Sequence, residues 1–195
     1  MIYKLIMLFL LLCFYSAYFA KQVMLKRHGI STNRLARGTK PKKTQRTEIC
    51  LLAAVCAGAA VQLLSTALPE TKAVLRTPAA VRICGVLAVL CGTVLFICAL
   101  AAMKDSWRAG IDETQETGMV SGGIYKFSRN PAFAGFDLIY AGTAMVFPGI
   151  AALLSAGISV TLFHLQILEE EKYLTRKFGS EYEEYKKNTP RYLLF

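Results

Sequence analysis

Two polar islands stand in the otherwise apolar second half of the chain, and they hold most of its side chains able to do chemistry. The first runs from Gly122 and Gly123 through Tyr125, Arg129, Asn130, Pro131 and Phe133 to Gly135. The second holds Glu169, Glu170 and Glu171, then Leu174, Phe178, Gly179, Tyr182 and Tyr185, and closes on Thr189, Pro190 and Arg191. Carboxylates at 170 and 171 offer acceptors for an ammonium group or for hydroxyls. A guanidinium at 129 can take a carboxylate in a fork. Pro131 fixes the turn into the segment that follows, and the paired glycines permit close backbone approach. Each feature alone has a plainer meaning. The acids suit a solvated helix start, where negative charge favours the dipole. Tyr182 and Tyr185 suit interfacial packing, and Arg191 suits either a brace for the carboxylates or a headgroup contact.

Two further titratable side chains lie between the islands. Asp137 follows Phe133 by one helical turn inside an apolar run. A carboxylate in lipid is costly and must face protein or a watery cavity. It either contacts substrate and accepts a proton, or pairs with Arg129 or Lys126. His164 precedes Glu170 by about two turns on a similar face. Its imidazole can touch the same site; the alternative is a satisfied interfacial histidine. His28 reads as solvated. No P-loop, catalytic triad or zinc motif is visible.

In order and spacing the islands resemble the membrane methyltransferases typified by isoprenylcysteine carboxyl methyltransferase, with the phospholipid N-methyltransferases as more distant relatives. That family places an Arg-His-Pro-x-Tyr motif before a helical hairpin and a Glu-Glu pair after it. The pair is followed by x-x-Leu-x-x-x-Phe-Gly-x-x-Tyr-x-x-Tyr, and Glu170-Glu171 fits that spacing. The resemblance covers roughly residues 107–191. It implies S-adenosylmethionine as cofactor and a lipophilic acceptor arriving from the bilayer. It also implies cofactor contacts from Arg129, Asn130, Pro131, Phe133, Glu170 and Glu171, to which Tyr125 and His164 are added. Arg129, Glu170 and Asp137 are the expected catalytic set. Asn130 stands where the family motif has His, and Phe133 where it has Tyr. Asn cannot titrate, so a general base at 130 is excluded. Methyl transfer depends mostly on alignment, which positioning alone can supply.

These residues need a scaffold, and the composition says which kind. The chain has 195 residues, 54% hydrophobic and 18% charged, with mean hydropathy +0.41. Soluble domains carry about a quarter charged residues, so one polytopic all-α membrane domain is expected. Its first part is residues 1–104, three spans with a basic loop at 21–48; its second, 105–195, is the methyltransferase-like region. The formal net charge is +10. Much of it lies between two apolar runs, as a cytoplasmic loop obeying charge bias at the bilayer rather than a nucleic-acid surface.

Five spans are expected: Ile2–Ala20, Ile49–Leu68, Ala79–Met103, and a hairpin of Pro131–Phe147 and Ile150–Ile167 broken at Pro148-Gly149. Pro69 ends the second span and a short loop, Pro69–Pro78, follows it. The first span reads as an uncleaved helix, because Tyr18 is bulky for a cleavage site and the next segment is intensely basic. The N-terminus is placed outside and the C-terminus and site on the cytoplasmic side. Leu168–Phe195 forms a C-terminal amphipathic interfacial helix interrupted near Gly179, with an aromatic stripe; it lies along the cytoplasmic interface or folds back over the helix ends. Cys84, Cys91 and Cys98 repeat every seven residues, as small residues at a helix contact. Trp107 is placed at the interface. An NADPH-dependent membrane reductase and a non-enzymatic transport or scaffold protein remain as rival functions. Oligomeric state is open.

Overall fold

In the computed structural model, which describes residues 1–38, 40–67, 77–111 and 118–193, the chain is an all-α polytopic membrane protein. Its helices are α1 (Ile2–Arg27), α2 (Lys42–Ala67), α3 (Ala79–Met103), α4 (Pro131–Val146), α5 (Ile150–Phe178) and α6 (Ser180–Asn188). Short 3-10 turns lie at Lys104–Ser106 and Gly123–Lys126. Long apolar runs take this form because lipid offers backbone N–H and C=O groups no partners, and a helix satisfies them internally. α1, α2, α3 with its following turn, and α5 are long and apolar enough to cross a membrane. The fifth expected span, α4, has 16 residues and reaches about 24 Å.

The hairpin begins and turns as the sequence requires. Asn130 caps α4, with Pro131 in its first turn, where the missing N–H costs nothing. Pro148 cannot continue α4, and α5 starts from Gly149. α5 then runs unbroken through Glu169–Glu171 for 29 residues. It stops at Gly179, whose φ of +54° is left-handed and suits glycine alone. α6 follows directly, so the expected interruption at Gly179 is present. Leu168–Phe178 is the last part of α5, and the C-terminal amphipathic segment continues after Gly179 as α6.

Close backbone contact joins α3 to α4. A Cβ on Gly92 would stand 2.6 Å from the Gly135 carbonyl oxygen, and one on Gly85 2.7 Å from that of Gly142. The relation is reciprocal: a Cβ on Gly135 or Gly142 would stand 2.8 or 2.6 Å from the facing glycine oxygen. The heptad cysteines do not make this contact as expected. Cys84, Cys91 and Cys98 are exposed, and the glycines at 85 and 92, one position on, take the interface because only they allow the backbones to touch. On α2, Gly58 packs against the ring and hydroxyl of Tyr140. Gln62, the strongly polar side chain of α2, accepts a 2.6 Å hydrogen bond from the Tyr15 hydroxyl of α1.

Two other expectations change. Trp107, expected at the interface, turns its ring into the protein: it is 4% exposed and edge-on to Tyr18 at 5.5 Å. The basic segment is also less of a loop than the sequence indicates. α1 continues to Arg27 and α2 starts at Lys42, so much of the charge rides on helical ends. The expected end of span two at Pro69, and the loop after it as far as residue 76, lie outside the described residues, as do residues 112–117 of the glycine-containing loop and the last two residues of the tail.

Replacing Gly92 with Val should destabilise the protein by about 1–3 kcal/mol through overpacking. Cys91→Ala, one residue away on the exposed face, should stay within about 0.5 kcal/mol of wild type. Thermal unfolding in detergent distinguishes them; equal losses would mean that the glycine contact does not hold α3 to α4.

Candidate active site

A cavity of about 210 Å³ lies among the helices and has two chemically different ends. At one end stand Tyr125, Arg129, Asn130 and Glu170, with Tyr182 and Tyr185 of α6. At the other stand Leu51, Val55, Phe96, Phe136 and Phe163. The aromatic end is a continuous stack across α1, α3, α4 and α5. Phe14 and Phe96 have ring centroids 4.8 Å apart, Phe96 and Phe136 5.1 Å, and Phe136 and Phe163 4.9 Å. Such tilted and edge-on pairs add to the area they bury.

The polar end is held by one carboxylate. Glu171, 6% exposed, accepts from Arg129 Nε and Nη2 at 3.2 and 2.9 Å through Oε1. It accepts from Arg191 Nε at 3.1 Å through Oε1 and from Nη2 at 2.8 Å through Oε2. Arg129 Nη1 donates to the carbonyls of Lys186 and Thr189 at 3.1 and 2.7 Å. The tail is further tied to the start of α4. Arg129 N–H donates to Pro190 O at 2.9 Å, and the Ser128 hydroxyl and the Asn130 side-chain amide both donate to Arg191 O at 3.2 Å. The Glu171 contact holds the Arg191 guanidinium above its ordinary range.

α6 closes the same end. The Tyr185 hydroxyl donates to the Tyr125 carbonyl at 2.6 Å. Burial pushes Tyr185 up to about 12, and burial beside Glu170 raises Tyr125. Both phenols therefore stay protonated donors at neutral pH.

The sequence-derived residues separate into two groups. Tyr125, Arg129, Asn130, Phe133 and Glu170 border the cavity; Pro131, Asp137, His164 and Glu171 do not. The Arg129 fork, expected to meet a ligand carboxylate, is engaged by Glu171 and two backbone carbonyls. Glu171 lies behind the wall as a clamp. Glu170 faces the cavity and accepts from Gln166 Nε2 at 3.0 Å. His164 Nδ1 lies 2.7 Å from the Tyr192 hydroxyl, which directs it to the tail. Asp137 Oδ1 is buried without a hydrogen-bond partner, and neither Arg129 nor Lys126 takes it as an ion-pair partner at contact distance among the described residues. Among those residues no group of three or more His, Cys, Asp or Glu is placed to hold a metal.

The sequence put the aromatic stripe on one helix face but not against the cavity. Leu174 and Phe178, with Tyr182 and Tyr185, the pair that reads as interfacial packing, all line it. Their helical spacing was the available signal, but it fixes a face and not what that face meets. Tyr18, Leu35, Leu51 and Val55 from the first half also line it, and no motif marks them.

Comparison with known proteins finds sequence similarity to methyltransferases. The family model described as phospholipid methyltransferase matches residues 80–181. The chain is 36% identical over 73 residues to a protein-S-isoprenylcysteine O-methyltransferase of Schizosaccharomyces pombe, covering 37% of this chain and 31% of that protein. It is 28% identical over 114 residues to a protein of the same name from Xenopus laevis, covering 57% of this chain and 40% of the relative. The matched part thus spans well under half the length of either curated relative.

Glu171→Ala should destabilise the protein by about 3–5 kcal/mol, because it strands a buried guanidinium. Arg191→Ala should cost only about 1 kcal/mol, since its side chain is 35% exposed. Chemical denaturation in detergent measures both. A Glu171→Ala loss no larger than that of Arg191→Ala would show that the carboxylate is not the centre of the clamp.

Proposed function

The chain belongs to the phospholipid methyltransferase family, and from that premise we propose that it transfers a methyl group from S-adenosylmethionine to a lipophilic acceptor drawn from the bilayer. The observation that carries this is the two-ended cavity, with Glu170 and Asn130 at one end and the Phe96, Phe136 and Phe163 rings at the other.

The donor set fits the cofactor's chemistry. A sulfonium and an ammonium need an anion and aromatic faces, and Glu170 with the tyrosines of α5 and α6 offers both. Ribose and adenine need backbone and amide partners, for which Asn130 and Gly110 stand at the cavity wall. The cofactor supplies an electrophilic methyl group on sulfur. The protein's part is to hold, orient and exclude water. Arg129 acts as a positioning residue here, since Glu171 and two carbonyls occupy most of its donors. Phe133 supplies a ring without a hydroxyl, and Asn130 a donor without a titrating proton. Asp137 and His164, behind the cavity wall, have no step in this proposal.

The acceptor's reacting group would meet the methyl donor where the two ends of the cavity join, with its hydrocarbon part among the α1–α5 rings. The acceptor atom is a carboxylate oxygen, an amine nitrogen or a thiol sulfur. Lys26 and Arg27 of α1 and Lys42 and Lys43 of α2 mark one end of the bundle. By charge bias that end is placed in the cytoplasm, and the polar end of the site with it.

Isothermal titration of S-adenosylhomocysteine into detergent-purified protein tests this, with NADPH as control. Wild type should bind saturably, and Glu170→Ala should bind about tenfold or more weakly, as expected for a lost charged hydrogen bond. Folded protein that ignores the homocysteine compound would sink the proposal, and saturable NADPH binding would point to a reductase.

A further inference from the structure

The half of the chain before the family match supplies a buried carboxylate that no catalytic step uses. Glu48, near the start of α2, is 0% exposed. It accepts from the Ala36 N–H at 2.9 Å, from Lys40 Nζ at 2.6 Å and from the Ile111 N–H at 3.0 Å. Three donors from two distant segments therefore converge on one side chain. Helix packing alone does not call for a carboxylate here, and an unpaired one would be expensive to bury.

The two segments it joins are paired elsewhere too. Arg34 N–H donates to Ala109 O, and Ala109 N–H donates to Thr32 O, each at 2.8 Å. This makes a short parallel bridge between Asn33 and Ala109. Gly110 lies beneath it with φ +91°, and a Cβ there would stand 2.8 Å from the Leu35 nitrogen. Leu35, Gly110 and Ile111 border the cavity.

We propose that Glu48 is a positioning residue of the active site: it pins the connection between α1 and α2 onto residues 109–111 as a roof over the cavity, so the methyl-donor pocket takes its shape from outside the family match. This rests on the proposed cofactor site. Glu48 touches no ligand; it acts through the two backbone segments it holds.

Two readouts on the full chain in detergent test this. The first is the S-adenosylhomocysteine dissociation constant. The second is the rate of trypsin cleavage after Arg34 and Arg37, which does not depend on activity. Glu48→Gln keeps the volume but loses the charge that draws Lys40. It should weaken binding and speed cleavage, each about tenfold, with helical content unchanged. Gly110→Ala loosens the same joint from the other side and should move both readouts the same way, which keeps the test alive if Glu48→Gln fails to fold. Cleavage of wild type as fast as the variants would overturn the pinned roof, and a released roof with wild-type affinity would overturn its positioning role. If wild type binds no homocysteine compound, the methyl-donor site falls and with it the positioning role, while the cleavage pattern still decides whether Glu48 pins the roof.

Discussion

A single carboxylate between two guanidiniums organises the polar end of this protein. Glu171 receives Arg129 from the start of α4 and Arg191 from the tail, so three segments remote in sequence meet at one point. Removing such charges from water is costly, and the cost is offset only where every donor finds an acceptor. Here Arg129 also satisfies two carbonyls at the end of α6. Asn130, Pro131 and Phe133 inherit their placement from that arrangement. Glu170, the next residue back along α5, is left to face the cavity.

Lipid sets the other constraint. α4 is short for a bilayer and is drawn against α3 by glycines that let the backbones touch. α5, at 29 residues, would reach about 43 Å and extends past the hydrocarbon core, carrying its acids and the last of its aromatic residues to the polar end. The cavity between them is lined by aromatic rings of α3, α4 and α5 and by the polar side chains of Arg129, Asn130 and Glu170.

The site is not confined to the segment that matches the family. Residues 80–181 carry that match, yet Tyr18, Leu35, Leu51 and Val55 also line the cavity. α1 and α2 are thus walls of the pocket as well as anchors.

Much of this was legible in the chain. Long uncharged runs required helices, because backbone groups in lipid have no other partner. Pro148-Gly149 and Gly179 marked breaks by their backbone limits, and Arg129 with Glu170-Glu171 marked by type and spacing the polar groups that meet beside the cavity. What only the tertiary structure decided was which of these groups face the cavity and which face each other. Spacing could not tell Glu170 from Glu171, because adjacent helical residues point about 100° apart and only the packed neighbours say which direction is inward. Nor could it show that glycines rather than cysteines join α3 to α4, or that Trp107 and the aromatic stripe turn inward. The role of Glu48 was hidden for the same reason: its donors at 36, 40 and 111 become neighbours only when the connection between α1 and α2 folds onto the end of the bundle.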